Sequence, residues 1–163
     1  MFVATLFYLL RGDPVSEVLL GHKKVGFAAG KWDGFGGKVE PGETVKDAAL
    51  REMWEESSVR VRPEDAWPVA RLDYRFPFKP EWTMMVYAYA ARIGAGEPQE
   101  SDEMVPEWFA LQDIPYAQMW QDCQHWLPRV LGGEVLQGRF VFGEDNESIQ
   151  EMSVGAWDGV EQA

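Results

Sequence analysis

The sequence predicts an α+β fold, an α/β/α sandwich built on a mixed β-sheet. Three observations carry that prediction. Apolar runs of strand length dominate the chain, only two segments read as helices, and turn residues separate the runs at short intervals. The length of 163 residues suits one domain, expected over residues 1–155, with a loose acidic tail at 156–163.

Val3–Leu10 reads as a buried strand that stops at the turn-forming Gly12-Asp13-Pro14. The opening MFVATLFYLL is apolar but lacks a basic n-region and is too short to span a bilayer, so neither a signal peptide nor a membrane span is expected. Glu17–Leu20 begins a second apolar run, which ends in the basic His22-Lys23-Lys24. Gly26, Gly30, Gly34, Gly36, Gly37 and Gly42 then mark turns, or backbone that something must approach closely. Thr44 is a good N-cap with Asp47 three residues on, and Val45, Ala48, Ala49 and Met53 form an apolar stripe. These predict a helix ending near Ser57. Trp67–Phe76 and Thr83–Ile93 read as long strands around a turn holding Pro77, Pro80 and Glu81, and Trp108–Leu111 as a short strand. A second helix is expected from Asp122, limited by Pro128 and stopped at Gly132-Gly133. Arg139–Phe142 and Ser148–Ser153 should close the fold as a hairpin around Gly143-Glu144-Asp145-Asn146.

Fifteen Lys and Arg against 27 Asp and Glu give a formal charge of −12. A surface this acidic argues against binding duplex nucleic acid or an anionic membrane. It leaves room for one small anionic ligand held through a metal or a few local cations. The single cysteine, Cys123, excludes an internal disulfide and fits a reducing, cytoplasmic setting. The chain is long enough for a stable monomer.

The chemistry concentrates in Gly37 to Val59. Its helix carries Glu52, Glu55 and Glu56, which share a face because residues three and four apart are neighbours. At an effective dielectric near 20, two such charges about 4 Å apart repel by about 4 kcal/mol. Either the cluster is solvated and balanced by Lys46 and Arg51, or one acid keeps its proton, or a hard divalent cation sits among the oxygens. Magnesium suits the last arrangement, because it takes carboxylate, carbonyl and water oxygens and is shared with substrate phosphates.

The spacing of Gly37, Glu43, Arg51, Glu52, Met53, Glu55, Glu56 and Val59 resembles the Nudix box. Ser58 is the one departure, standing where that pattern has glycine just past the helix end. A serine in a left-handed conformation there costs about 1 kcal/mol and removes no carboxylate. Outside the box, Leu19 to Lys24, Gly26-Phe27, Gly30 to Trp32, Gly34 to Val39, Glu100 to Met104, Trp108-Phe109, Ile114-Pro115 and Met119-Trp120 are similar to the MutT-type members that remove 8-oxo-dGTP and related oxidised purine nucleotides.

The resemblance implies a loop–helix–loop inside a Nudix α/β/α sandwich, with Mg2+ (or Mn2+) as cofactor. It implies hydrolysis of an oxidised purine nucleoside triphosphate to the monophosphate and pyrophosphate, with water attacking the β-phosphorus, which sanitises the nucleotide pool. The metal ligands it implies are the Gly36 carbonyl, Glu52, Glu55, Glu56 and Glu103. Glu52, Glu56 and Glu103 are the implied catalytic acids, with the attacking water giving its proton to Glu52 or Glu56 in preference to Glu55. Arg51 mainly orients a glutamate of the box. Lys23 is the implied phosphate contact. Trp120 and Phe27 match base-pocket positions, with Thr5, Tyr74, Met84, Asp33 and Asp122 as further substrate contacts. The related mammalian enzyme has asparagine at the place of Asp33 and two aspartates at the place of Asp122-Cys123. An ionised aspartate only accepts hydrogen bonds, whereas a buried protonated one also donates. Two alternatives stand beside this reading: the same box acting on an undamaged nucleotide, a dinucleoside polyphosphate or a nucleotide sugar, and a non-catalytic nucleotide sensor.

Overall fold

The computed structural model describes residues 1–161. Its strands are β1 (Phe2–Arg11), β2 (Glu17–Lys23), β3 (Trp32–Asp33), β4 (Ala66–Arg75), β5 (Met84–Ala91), β6 (Met104–Ala110), β7 (Leu136–Phe142) and β8 (Ile149–Ala156), and its helices are α1 (Val45–Ser57) and α2 (Cys123–Leu131). The sheet runs β3-β2-β1-β5-β4-β7-β8, with β6 on the free edge of β2. The β1–β5 and β4–β7 pairs are parallel and the others antiparallel, so the sheet is mixed.

Strand alternation sends β1 residues to opposite faces. Phe7 and Leu9 join Leu19, Phe35 and the α1 residues Val45, Ala49 and Met53 in one apolar cluster. Tyr8 and Leu10 join Val18, Leu20 and the α2 residues Trp126 and Leu127 in the other. Each helix thus buries one stripe against one face of the sheet, which is the predicted sandwich. No helix among the described residues is long and apolar enough to cross a membrane.

Three local expectations change. Trp108–Leu111 was too short for a strand that begins at Met104, because Pro106 interrupts the apolar run while β6 still pairs with the whole of β2, from Lys23–Met104 to Glu17–Ala110. α2 starts after Asp122 and stops at Gly132 as expected, with Pro128 held inside it. The buried Trp126, Leu127, Val130 and Leu131 anchor the helix across the missing hydrogen bond. β3 was not foreseen, since two residues paired with Gly21 and His22 leave no periodic signal. In the segment expected to be a loose tail, Ala156 ends β8, the Trp157 amide donates to the Val135 carbonyl at 3.0 Å, and Glu161 accepts from the Tyr89 hydroxyl at 3.4 Å. The part of that expected tail at residues 162 and 163 lies outside the described residues.

The first half of β1 positions the candidate site. Residues 35–39 lie beside it: Thr5 N–H donates to the Gly37 carbonyl at 2.9 Å, Phe7 N–H to the Phe35 carbonyl at 2.6 Å, and Val39 N–H to the Val3 carbonyl at 3.0 Å. The glycine-rich loop is therefore an extension of the sheet that leads into α1.

Candidate active site

Thr44 caps α1 as expected, its side chain accepting from the Asp47 amide at 3.1 Å. At the other end Ser58 has φ 64, in the left-handed region, and its amide closes on the Trp54 carbonyl at 2.8 Å. The glycine-preferring exit is thus made with serine, and the helix keeps its regular end.

The loop alternates like a strand. The Phe35 and Gly37 carbonyls are taken by β1, whereas the Gly36 carbonyl receives no backbone donor among the described residues. The Gly36 amide turns away from β1 and donates to Glu56 Oε1 at 2.8 Å. Glycine is required at Gly36 by space, because a Cβ there would lie 1.7 Å from the Thr5 carbonyl oxygen; one on Gly37 would lie 2.5 Å from Glu52 Oε1 and push that carboxylate aside.

The acids of α1 separate into two groups. Arg51 forks onto Glu43 at 3.0 and 2.7 Å, and its other arm donates to Glu52 at 2.9 Å and Glu55 at 3.1 Å. Glu43 is lowered by this hydrogen bonding, and the guanidinium is held firmly protonated. Glu52 is half-buried, and burial raises its pKa against the pull of Arg51. Glu56 is only 3% exposed. Burial, with Glu52 and Glu103 adding to it, pushes its carboxyl up to about 8 despite the Gly36 amide and Lys23. Glu56 Oε2 has no hydrogen-bond partner among the described residues, and Lys23 Nζ stands 3.9 Å from it and 3.5 Å from Glu103 Oε2. Glu103 itself is exposed.

Among the described residues no three Asp, Glu, His or Cys side chains already close around one point. The donor set still fits a hard divalent cation: an orphaned buried carboxylate oxygen, a free glycine carbonyl beside it, and a second carboxylate packed against a bare Cα.

Beside the loop opens a cavity of about 360 Å³. Thr5, Lys23, Phe27, Asp33, Tyr74, Met84, Trp120 and Asp122 all line it, as does Gly36. Sequence reading missed Phe76, Trp82 and Phe142, which complete its aromatic wall. Phe27 stacks on Trp120 at 5.4 Å and meets Trp82 edge-on at 4.8 Å, while Phe76 stacks on Phe142 at 4.5 Å. These rings come from four distant segments, and no spacing links them. Lys31 was missed as well: it lines the cavity, reaches over Trp120 and pairs with Glu147 at 3.5 Å.

Two acids face the cavity, Asp122 buried and Asp33 partly so. Asp33 Oδ1 accepts from the Gly34 amide at 2.8 Å and the Tyr8 hydroxyl at 3.3 Å, and burial pushes its carboxyl up to about 7. Asp122 Oδ2 accepts from the Tyr74 hydroxyl at 2.5 Å and the Trp126 indole at 2.8 Å, while Oδ1 is buried and unpartnered. Burial raises Asp122 too, against those two donors. Burial also keeps the neighbouring Cys123 thiol protonated.

A mixed sheet between two helices, with a glycine loop feeding an acid-bearing helix beside an open aromatic cavity, defines a Nudix-type hydrolase. The NUDIX domain family matches residues 2–130, and the chain belongs to that family. It is 40% identical over 154 residues to the oxidized purine nucleoside triphosphate hydrolase of Mus musculus, covering 94% of this chain and 96% of that protein. To the protein of the same name from Danio rerio it is 43% identical over 142 residues, 87% and 89% of the two chains. In fold it is similar to a crystal structure described as the mMutator MutT protein from Bacillus halodurans. That match has a TM-score of 0.80 at 23% identity and covers 94% of this chain and 97% of that one.

Proposed function

We propose that this chain hydrolyses oxidised purine nucleoside triphosphates of the 8-oxo-dGTP kind to the monophosphate and pyrophosphate, as a cytoplasmic monomer that cleanses the nucleotide pool. One observation carries the reading: Lys23 lines the aromatic cavity and also stands 3.9 Å from the buried Glu56, so a single side chain joins a base-sized slot to the acid nest. The names of the two relatives at 40% and 43% identity support the substrate class.

In this reading the purine enters between Phe27, Trp120 and the neighbouring rings, where stacking contributes about 1–3 kcal/mol. Asp33 and Asp122 meet its polar edge, and Thr5 and Met84 close the slot. Lys23 neutralises the phosphates and draws them toward α1. Mg2+ (or Mn2+) would be held by the Gly36 carbonyl with Glu52, Glu55, Glu56 and Glu103. When bound it acidifies a water and offsets charge on the phosphoryl oxygens. The attacking water gives its proton to Glu52 or Glu56; Glu56, held up to about 8 by burial, first loses its own proton, which a cation in the nest would favour. Arg51 holds Glu52 and Glu55 in place.

The test is chromatographic identification of the nucleotide products from a panel of 8-oxo-dGTP, dGTP, a dinucleoside polyphosphate and a nucleotide sugar, with pyrophosphate measured beside them for the triphosphates, with and without Mg2+. The expected result is Mg2+-dependent turnover, fastest with 8-oxo-dGTP. Turnover of sugar nucleotides alone would transfer the box to another substrate. Binding without turnover would make the chain a sensor.

A further inference from the structure

We infer that the Tyr74 hydroxyl is a positioning residue that fixes Asp122 as a hydrogen-bond acceptor, so that the cavity selects a base edge offering an N–H donor. The inference rests on the nucleotide reading above and assigns a task to a side chain that does not itself meet the base through its hydroxyl.

Asp122 stands at the start of α2 and is 1% exposed. Two donors converge on its Oδ2, the Tyr74 hydroxyl at 2.5 Å and the Trp126 indole N–H at 2.8 Å. An indole can only donate, so Oδ2 must accept there. Two donors on one oxygen favour the ionised carboxylate and leave no place on Oδ2 for a proton. The other oxygen, Oδ1, is buried and has no partner among the described residues, while Asp122 lines the cavity. A buried oxygen of this kind calls for a donor from whatever fills the space.

The groups around the carboxyl come from four elements. Asp33 on β3 is the neighbouring acid, and the charge on Asp122 helps to hold its proton in place. Tyr8 on β1 is committed to Asp33 and does not compete. Cys123 is neutral, and His125, also on α2, favours the ionised form. Burial pushes Asp122 toward protonation, and the Tyr74 hydroxyl on β4 opposes it. The Tyr74 ring is gripped by Phe140 at 5.8 Å and Phe142 at 6.2 Å, so the hydroxyl is aimed by packing. Without it, Asp122 takes a proton more readily and presents the base with a donor where an acceptor is needed.

Tyr74→Phe keeps the ring and removes only the hydroxyl, and Asp122→Asn supplies the reference. The first readout is the 13C titration of the Asp122 carboxyl in the substrate-free chain, assigned by its loss in Asp122→Asn. Tyr74→Phe should raise its midpoint by about one pH unit or more, the effect of losing one donor to a charged acceptor. The second readout is the pH profile with 8-oxo-dGTP. The acid limb of kcat/KM should move to higher pH in the variant, with the loss of about tenfold falling on KM rather than kcat. In the Asp122→Asn background the same change should alter kcat/KM by less than about twofold. An unmoved carboxyl midpoint, or a full loss on top of Asp122→Asn, overturns the inference. Wild-type turnover of 8-oxo-dGTP reports on the functional reading by itself. The carboxyl midpoint reports on Tyr74 whatever the substrate is, so the two failures are distinguishable.

Discussion

Replacing Glu56 with Gln separates the cost of the acid nest from its use. Glu56 is 3% exposed, and its carboxyl lies at about 8 instead of the ordinary 4.5, chiefly through burial. An acid raised in the folded state contributes fully below its unfolded pKa, and that contribution is lost as pH climbs to the folded value. In chelator, wild-type stability should therefore fall between pH 4.5 and about 8 and level off above. At about 1.36 kcal/mol per pH unit the full displacement is worth about 5 kcal/mol. Relaxation and water entry reduce the measurable part to about 2–4 kcal/mol. Glutamine fills the same volume, keeps an oxygen for the Gly36 amide, and carries no charge. Urea unfolding in EDTA should show the two proteins equal near pH 4.5 and the variant more stable by that amount at pH 8.5. Adding Mg2+ should close the gap by stabilising only the wild type, while hydrolysis by the variant falls about 100-fold or more. A stability gap independent of pH would refute the reasoning, since it would place the ionised carboxylate in water and not in the nest.

Arg51→Ala should cost about 1–3 kcal/mol and at least tenfold in kcat, because it frees Glu43, Glu52 and Glu55 together; Arg51→Lys should not restore kcat, lacking the fork. Steady-state kinetics beside a urea titration check both. Ser58→Gly should stabilise the chain by about 1 kcal/mol, or roughly 2–4 °C in Tm by calorimetry, with unchanged kcat, because φ 64 strains a serine and not a glycine. Asp33 gives up its proton as pH passes about 7, and Asp33→Asn should remove the step centred there from the kcat/KM profile with 8-oxo-dGTP. A step of the same midpoint surviving in that variant would belong to another group.

The loop and α1 were legible because their physics is local. A cap at Thr44, a stripe at Val45, Ala49 and Met53, and carboxylates three and four apart each declare themselves within one helix. The separation of Glu56 from the Arg51-held acids was not legible, since it depends on Gly36 being pinned to β1 from across the sheet. The cavity was half legible. Phe27, Tyr74 and Trp120 could be named from the resemblance, whereas Trp82 and Phe142 look like any apolar residue until the sheet order brings β4, β7 and the Pro80–Trp82 turn together. The extent of β6 was hidden by Pro106, whose partner Gly21 tolerates the irregularity.

β1 does two jobs along one edge. Its later residues pair with β2, and its earlier ones clasp the glycine loop, while its opposite edge lies along β5 for nearly its full length. The acid nest consequently has no existence apart from a long-range pairing between the start of the chain and its middle. A nascent or partly melted chain lacks the seam on which Gly36 and Glu56 meet, so the hydrolytic power switches on only once the sheet has closed. Loss of phosphate-cleaving capacity on heating should thus coincide with global unfolding, with no half-folded form left to degrade sound nucleotides.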